Sequence, residues 1–171
     1  MRKISPIAVA GSSVSQADDI YRMPGHLIRR LHQISTALFG DECAAFDLTS
    51  VQYAALVMIG RQPNLDATRL SYLIAFDRST IGGVLDRLEA KGWVLREPSP
   101  DDRRVKLLRL TQMGSGLLDR VQPAVLRVQE RLLAPLSPTD RTTMVRLLGT
   151  LTQVHNDMLS APLRLDGVRQ S

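Results

Sequence analysis

Apolar positions first recur along the chain at helical spacing. Leu27, Leu31, Ile34 and Leu38 fall three or four residues apart, the stripe of a helix with one buried face. Pro24 suits the first turn, where its missing N–H costs nothing, so a helix is predicted from there to about Cys43. Thr49 followed three residues later by Gln52 is a capping box. It opens a second helix, carrying Tyr53, Leu56, Val57 and Gly60, that ends at the turn Arg61-Gln62-Pro63-Asn64. A short third helix has Asp66 as N-cap and Leu70, Leu73 and Ile74 inward. Ala75-Phe76 leaves room only for a tight connection before Asp77-Arg78-Ser79-Thr80 opens a fourth helix. Ile81, Val84, Leu85 and Leu88 form its inner stripe, and Gly92 closes it. Two short helices joined in this way make a helix-turn-helix.

After Gly92 the period becomes that of strands. Trp93 to Glu97 and Val105 to Leu110 predict a β-hairpin whose tip, Pro98 to Arg104, is turn-rich and charged. From Arg96 to Arg109 lie the bases Arg96, Arg103, Arg104, Lys106 and Arg109 and the acids Glu97, Asp101 and Asp102. Thr111 caps a long helix with Leu117, Leu118, Val121, Val125, Val128 and Leu132, in which Pro123 predicts a kink or break. Ser137 and Pro138 start a last helix bearing Met144, Leu147, Leu148, Leu151, Val154 and Met158. Gly82-Gly83 inside the fourth helix costs about 1 kcal/mol per residue relative to alanine, and close approach of another backbone is the expected reason.

The fold class is therefore mainly α (α+β). The central winged element is too small to cover the apolar stripes of the first and last helices, so these are expected to intertwine with a second copy. The division expected is a flexible arm over 1–21, a first dimerisation and ligand-pocket helix over 22–48, a winged helix-turn-helix lobe over 49–111, C-terminal dimerisation helices over 112–160 and a tail over 161–171.

Composition narrows the function. Among 171 residues, 22 Lys and Arg against 17 Asp and Glu leave a net charge of +5, which permits an anionic partner. No apolar run has the length of a bilayer span, and Ile4 to Ala10, broken by Pro6, is too short for a secretion signal. The single cysteine, Cys43, excludes an internal disulfide and suits a reducing cytoplasm. No Gly-rich phosphate loop, serine elbow or His-Glu-x-x-His motif occurs, so an enzyme is not expected. His26, His32 and His155 form no i, i+4 pair, so no metal site is expected either.

The run Asp77-Arg78-Ser79-Thr80-Ile81, then Leu85-Asp86-Arg87-Leu88-Glu89-Ala90-Lys91-Gly92-Trp93-Val94, then Asp101-Asp102-Arg103-Arg104 and Leu108-Arg109-Leu110-Thr111-Gln112-Met113-Gly114, resembles the MarR family of bacterial transcriptional regulators. The resemblance spans roughly residues 22–160. It implies a homodimer with a winged helix-turn-helix in each protomer, usually a repressor of double-stranded operator DNA. It also implies release by a small phenolic or aromatic acid held between the dimerisation helices and the DNA-binding lobe, with no cofactor.

On that reading Arg78, Ser79, Thr80 and Gly83 lie in the first turns of the recognition helix, the end that reaches base edges. Arg78 could donate two bonds to guanine, whereas Ser79 and Thr80 serve equally well as caps. With Gly82-Gly83 in place of bulkier residues, direct readout is thinner or the helix sits nearer the groove floor. Arg87 meets phosphate or a neighbouring acid. In the wing, the family pattern falls on Asp102 and Arg104 with Arg103 between, Arg104 entering a narrow minor groove and Asp102 orienting it. Lys106 and Arg69 are candidate phosphate contacts.

For an effector, Arg30 could grip a carboxylate with His26 four residues away on the same face and Tyr53 on the opposite wall; a salt bridge between helices or subunits is the competing role for Arg30. Two alternatives stand beside this reading. One is redox sensing through Cys43, which Asp41 and Glu42 oppose; the other is a winged-helix protein-interaction module that binds no DNA.

Overall fold

The computed structural model describes residues 20–62 and 64–155. The expected tail, Met158 and nearly all of the expected arm lie outside the described residues, as does the side chain of Arg78. The elements are α1 (Pro24–Glu42), a 3₁₀ turn (Ala44–Phe46), α2 (Ser50–Arg61), β1 (Leu65–Asp66), α3 (Ala67–Leu73), α4 (Arg78–Ala90), β2 (Val94–Pro98), β3 (Lys106–Leu110), α5 (Gln112–Leu133) and α6 (Pro138–His155).

Local chemistry explains most of the boundaries. Pro24 begins α1. At α2, Gln52 N donates to Thr49 Oγ1 at 3.2 Å and Thr49 N to Gln52 Oε1 at 3.0 Å, closing the capping box. Asp66 accepts from Arg69 N at 2.8 Å and Asp77 from Ser79 N at 3.2 Å. Thr111 accepts from Gly114 N at 3.0 Å, and Ser137 from Asp140 N at 3.2 Å. Gly92, at φ 69°, takes the left-handed conformation that ends α4.

The expected hairpin forms but gains a strand, and of the kink or break expected at Pro123 the break is not made. The hairpin is part of a three-stranded antiparallel sheet, order β1-β3-β2, because Leu65 pairs with Leu108 and Asp66 with Leu107. A two-residue strand is too short to show alternation in sequence. Pro123 does not break α5, which is one helix of 22 residues. Its ring lies on the solvent side, where water can satisfy the carbonyl that proline leaves unbonded.

The core joins Leu56, Leu65, Leu70, Ile81, Leu85, Leu88 and Val94 of the winged lobe to Phe39, Cys43, Leu117, Val121, Ala124 and Val128, where the end of α1 meets α5. Ion pairs border this second seam. Arg127 Nε donates to Glu42 at 2.8 Å, and Arg131 Nη1 donates to Glu42 at 2.7 Å and to Asp41 at 2.5 Å. The hydrogen bond from Arg127, then that from Arg131, holds the Glu42 carboxyl below the usual carboxylate range.

Much of the apolar stripe of the remaining α1 and of α6 is exposed, although Leu31, Leu38, Met144 and Leu148 are half-buried. Leu27 and Ile28 are 50% exposed, Leu147 48%, Leu151 50% and Val154 70%, and α6 buries no residue. Among the described residues no helix is long and apolar enough to cross a membrane.

Gly114 marks the tightest junction. A Cβ there would lie 2.2 Å from the Trp93 carbonyl oxygen, which already accepts from Thr111 N at 3.0 Å. Gly114→Ala is expected to cost about 1–3 kcal/mol. Gly116→Ala, whose Cβ would meet nothing within 4 Å, should stabilise by about 1 kcal/mol. Urea midpoints moving in opposite directions would confirm the junction; equal midpoints would contradict it.

Candidate nucleic-acid interface

The turn between α3 and α4 is built by the backbone. Phe76 N donates to Ser71 O at 2.9 Å, and Ala75 takes φ 50°, uncommon for a residue with a Cβ. Leu70 and Ser71 are buried beneath this turn. Ile81, Val84, Leu85 and Leu88 are buried as their spacing requires, which commits one face of α4 to the core. Ser79, Thr80, Gly83, Asp86 and Arg87 are left exposed, with Gly82 partly so.

Asp77 supplies the cap of α4, so neither the Ser79 nor the Thr80 hydroxyl is needed for it. Arg78 heads the helix. Arg87 forms no ion pair among the described residues. Arg69 is exposed on α3. The close backbone approach expected for Gly82-Gly83 is not made among the described residues: a Cβ at either position would meet none of their atoms within 4 Å.

The wing tip is a built turn. Ser99, 8% exposed, donates its N–H to Val105 O at 2.9 Å and accepts from Asp101 N at 3.3 Å. Asp102 Oδ1 accepts from Arg104 N at 2.9 Å and lies 3.6 Å from Arg104 Nε, while the Arg104 side chain stays 95% exposed. The aspartate thus fixes the backbone of Arg104 and leaves its guanidinium facing solvent.

Two of the five bases in this segment are occupied. Arg109 Nε donates to Glu97 at 2.6 Å across the strands. Arg96 Nη2 donates to Asp86 Oδ1 at 2.5 Å, and its Nε lies 3.3 Å from Glu89. Arg103, Arg104 and Lys106 remain for an outside partner, all exposed. Arg96, which ties the wing to α4, was missed as a positioning residue. The signal was the i, i+3 acidic pair Asp86 and Glu89, which share one helix face.

The residues expected to hold an effector are less convergent. Tyr53 packs on Phe39 with ring centroids 6.0 Å apart, and His26 meets Tyr21 edge-on at 5.4 Å. His26 Nε2 is buried with no hydrogen-bond partner among the described residues, and Arg30 is exposed. A cleft of about 480 Å³ lies elsewhere, lined by Cys43, Asp47, Leu48, Gln52, Arg87 and Lys91 among others, and none of Tyr53, His26 and Arg30 borders it. On its rim Lys91 Nζ donates to Asp47 Oδ2 at 2.6 Å and sits 4.6 Å above the Trp93 ring. Cys43 is 1% exposed, and burial first, then the Glu42 charge, pushes its thiol pKa up, away from the thiolate that reactivity needs.

The MarR family model matches residues 48–106, the segment from the capping box to the start of β3. The HTH-type transcriptional repressor NicR of Pseudomonas putida is 32% identical over 130 residues, covering 76% of this chain and 82% of that protein. The solved structure of Bordetella bronchiseptica BpsR, described for regulation of its DNA binding by 6-hydroxynicotinic acid, has a TM-score of 0.72 at 28% identity, over 76% of this chain and 93% of that one. The transcriptional repressor CouR bound to a 23-mer DNA duplex has a TM-score of 0.74 at 26% identity, over 81% and 99%. The helix-turn-helix, the arginine-tipped wing and these likenesses agree, and the chain belongs to the MarR family of transcriptional regulators.

Proposed function

We propose that this chain acts as a homodimeric repressor that binds a pseudo-palindromic duplex operator and is released by a small aromatic or phenolic acid. The observation that carries DNA binding is the wing tip, where Asp102 holds the backbone of a 95% exposed Arg104. It belongs to the same winged lobe as α4, on which Ser79, Thr80, Gly83 and Arg87 are exposed. An arginine presented on a rigid turn suits a narrow minor groove, where the negative potential is deepest. Arg78, Ser79 and Thr80 head the helix expected in the major groove. Arg69, Arg87, Arg103 and Lys106 supply positive charge for phosphates. The 23-mer duplex held by CouR, a protein of similar fold, supports the same docking.

The dimer is supported by the uncovered stripes of α1 and α6. Two-fold pairing through them would present both recognition helices to one face of a duplex, with half-sites about 34 Å apart. Effector release draws on the likeness to BpsR and its 6-hydroxynicotinic acid, with Arg30 and His26 as the carboxylate grip and Tyr53 as an aromatic wall. Arg30 stands on the uncovered half of α1, so a partner's helices would close that pocket. A coupling of about 1–3 kcal/mol between acid and operator is expected.

The operator is found by selecting duplexes from a random pool. Arg104→Ala should then weaken binding by about 5–150-fold and leave the dimer intact, read by fluorescence anisotropy and light scattering. Unchanged affinity would take the wing out of the interface. Wild-type affinity should fall steeply as salt rises, whereas a protein-docking module would hold no duplex at all.

Leu151→Asp changes a side chain that is half-exposed in one protomer. It should turn the dimer into a folded monomer, seen as a halved mass with an unchanged helical circular dichroism signal; a persistent dimer would refute the assigned interface.

Calorimetric titration of 6-hydroxynicotinic and hydroxybenzoic acids should show binding that Arg30→Ala weakens at least about tenfold, the loss of one charge-assisted pair. Equal affinities in mutant and wild type would remove Arg30 from the site.

A further inference from the structure

Gly82 and Gly83 are the only adjacent glycines in the chain, and they lie in the interior of α4. Glycine is the worst helix former after proline, so a pair of them needs a compensating role. Inside the fold there is none, because a Cβ at either position would meet nothing within 4 Å. Gly114 shows what an internal reason looks like, with a Trp93 carbonyl 2.2 Å from where its Cβ would be. Neither glycine of the pair needs a left-handed backbone, since Gly92 is the one glycine at positive φ among the described residues.

Position on the helix supplies the reason. With Ile81, Val84, Leu85 and Leu88 buried, the opposite line of α4 runs through Ser79, Gly83 and Asp86, 100° per residue placing Gly83 at its centre and Gly82 on its flank. Asp86 is engaged by Arg96 of the wing and its charge is partly neutralised. The middle of the outward face is therefore bare backbone. A helix backbone has a radius of about 2.3 Å against about 5–6 Å with side chains, so a bare face lets the axis come about 3 Å nearer to a surface.

We propose that Gly82-Gly83 is a contact shelf that seats α4 against the floor of the major groove, making Gly83 a specificity-determining residue by its lack of a side chain. The proposal rests on the DNA-binding reading above and deepens it. The depth set by the shelf brings the hydroxyls of Ser79 and Thr80 to base edges. Wing and phosphate contacts, which lie elsewhere, do not depend on it.

The test uses the full chain with two duplexes, one selected from a random pool by wild-type protein and one with that sequence scrambled. Gly82→Ala and Gly83→Ala are each expected to raise Tm by about 2–4 °C, because alanine favours the helix. Gly83→Ala should bind the selected duplex about tenfold or more weakly while keeping its affinity for the scrambled one, so the ratio collapses although the protein is more stable. Gly116→Ala, an open glycine of α5 away from this face, should show the same gain in Tm with both affinities unchanged. A Gly83→Ala protein that keeps the wild-type ratio overturns the shelf and leaves DNA binding standing. Parallel loss on both duplexes also overturns it, since the helix would then only track phosphates. Failure of the wild-type protein to bind any duplex overturns the DNA-binding reading itself, and the shelf with it.

Discussion

The arrangement of the lobe depends on the burial of one stripe, Ile81, Val84, Leu85 and Leu88, against the core that Leu70 and Val94 also share. Each such side chain removed from water contributes about 1.5–3 kcal/mol, an upper estimate because the unfolded chain is already partly collapsed. The ion pairs around it are exposed and worth about 0–1 kcal/mol each. Apolar burial therefore decides where α4 lies, and the pairs decide how its neighbours are oriented on it. Arg96 is the clearest case. Its half-buried guanidinium meets Asp86 and Glu89 and so links β2 to α4 in one head.

A second seam connects that head to the rest of the protomer. Phe39 and Cys43 of α1 pack with Leu117, Val121, Ala124 and Val128 of α5, and Glu42 is clasped by Arg127 and Arg131. Because the folded-state pKa of Glu42 is lowered, its contribution is present above the ordinary carboxylate pKa and fades as pH falls through the lower folded value. The seam uses only the C-terminal end of α1. The N-terminal half of α1 and α6 leave Leu27, Ile28, Leu147, Leu151 and Val154 about half or more exposed, and a cluster of large exposed apolar side chains marks an interaction surface. These exposed stripes lie on the helices that the sequence pattern assigns to the proposed pairing of two copies.

What could be read from sequence followed the range of the interaction that made it. The capping box at Thr49 and the N-caps at Asp66, Thr111 and Ser137 act within three residues, so their chemistry is written locally, and all of them formed, whereas the cap of α4 fell to Asp77 rather than to Ser79 or Thr80. The stripe of α4 and the hairpin were legible from periodicity for the same reason. Strand β1 was not, because two residues carry no period and its pairing with Leu107 and Leu108 spans about forty residues of chain. Nor was the left-handed Ala75, whose conformation is imposed by the hydrogen bond from Phe76 to Ser71. Among the wing bases, sequence could count five but could not say that Arg96 and Arg109 are neutralised by acids of α4 and the facing strand. The proposed effector residues were the least legible, since Arg30, His26 and Tyr53 border no common cleft among the described residues.

Departures from local rules sort into two groups here, and the sorting locates function. Gly114 and Ala75 break propensity for reasons visible inside the protomer, a carbonyl 2.2 Å from a would-be Cβ in one case and a backbone bond in the other. Gly82-Gly83, the bare stripes of α1 and α6, and a 95% exposed Arg104 on an ordered turn have no internal reason. An open glycine alone does not mark a contact, as Gly116 shows, but departures that cluster on one face are where a functional reason outside the chain is expected. These exceptions fall on two surfaces, one apolar and one basic around a flat helix face, which is the division that the proposed dimeric, DNA-binding reading requires.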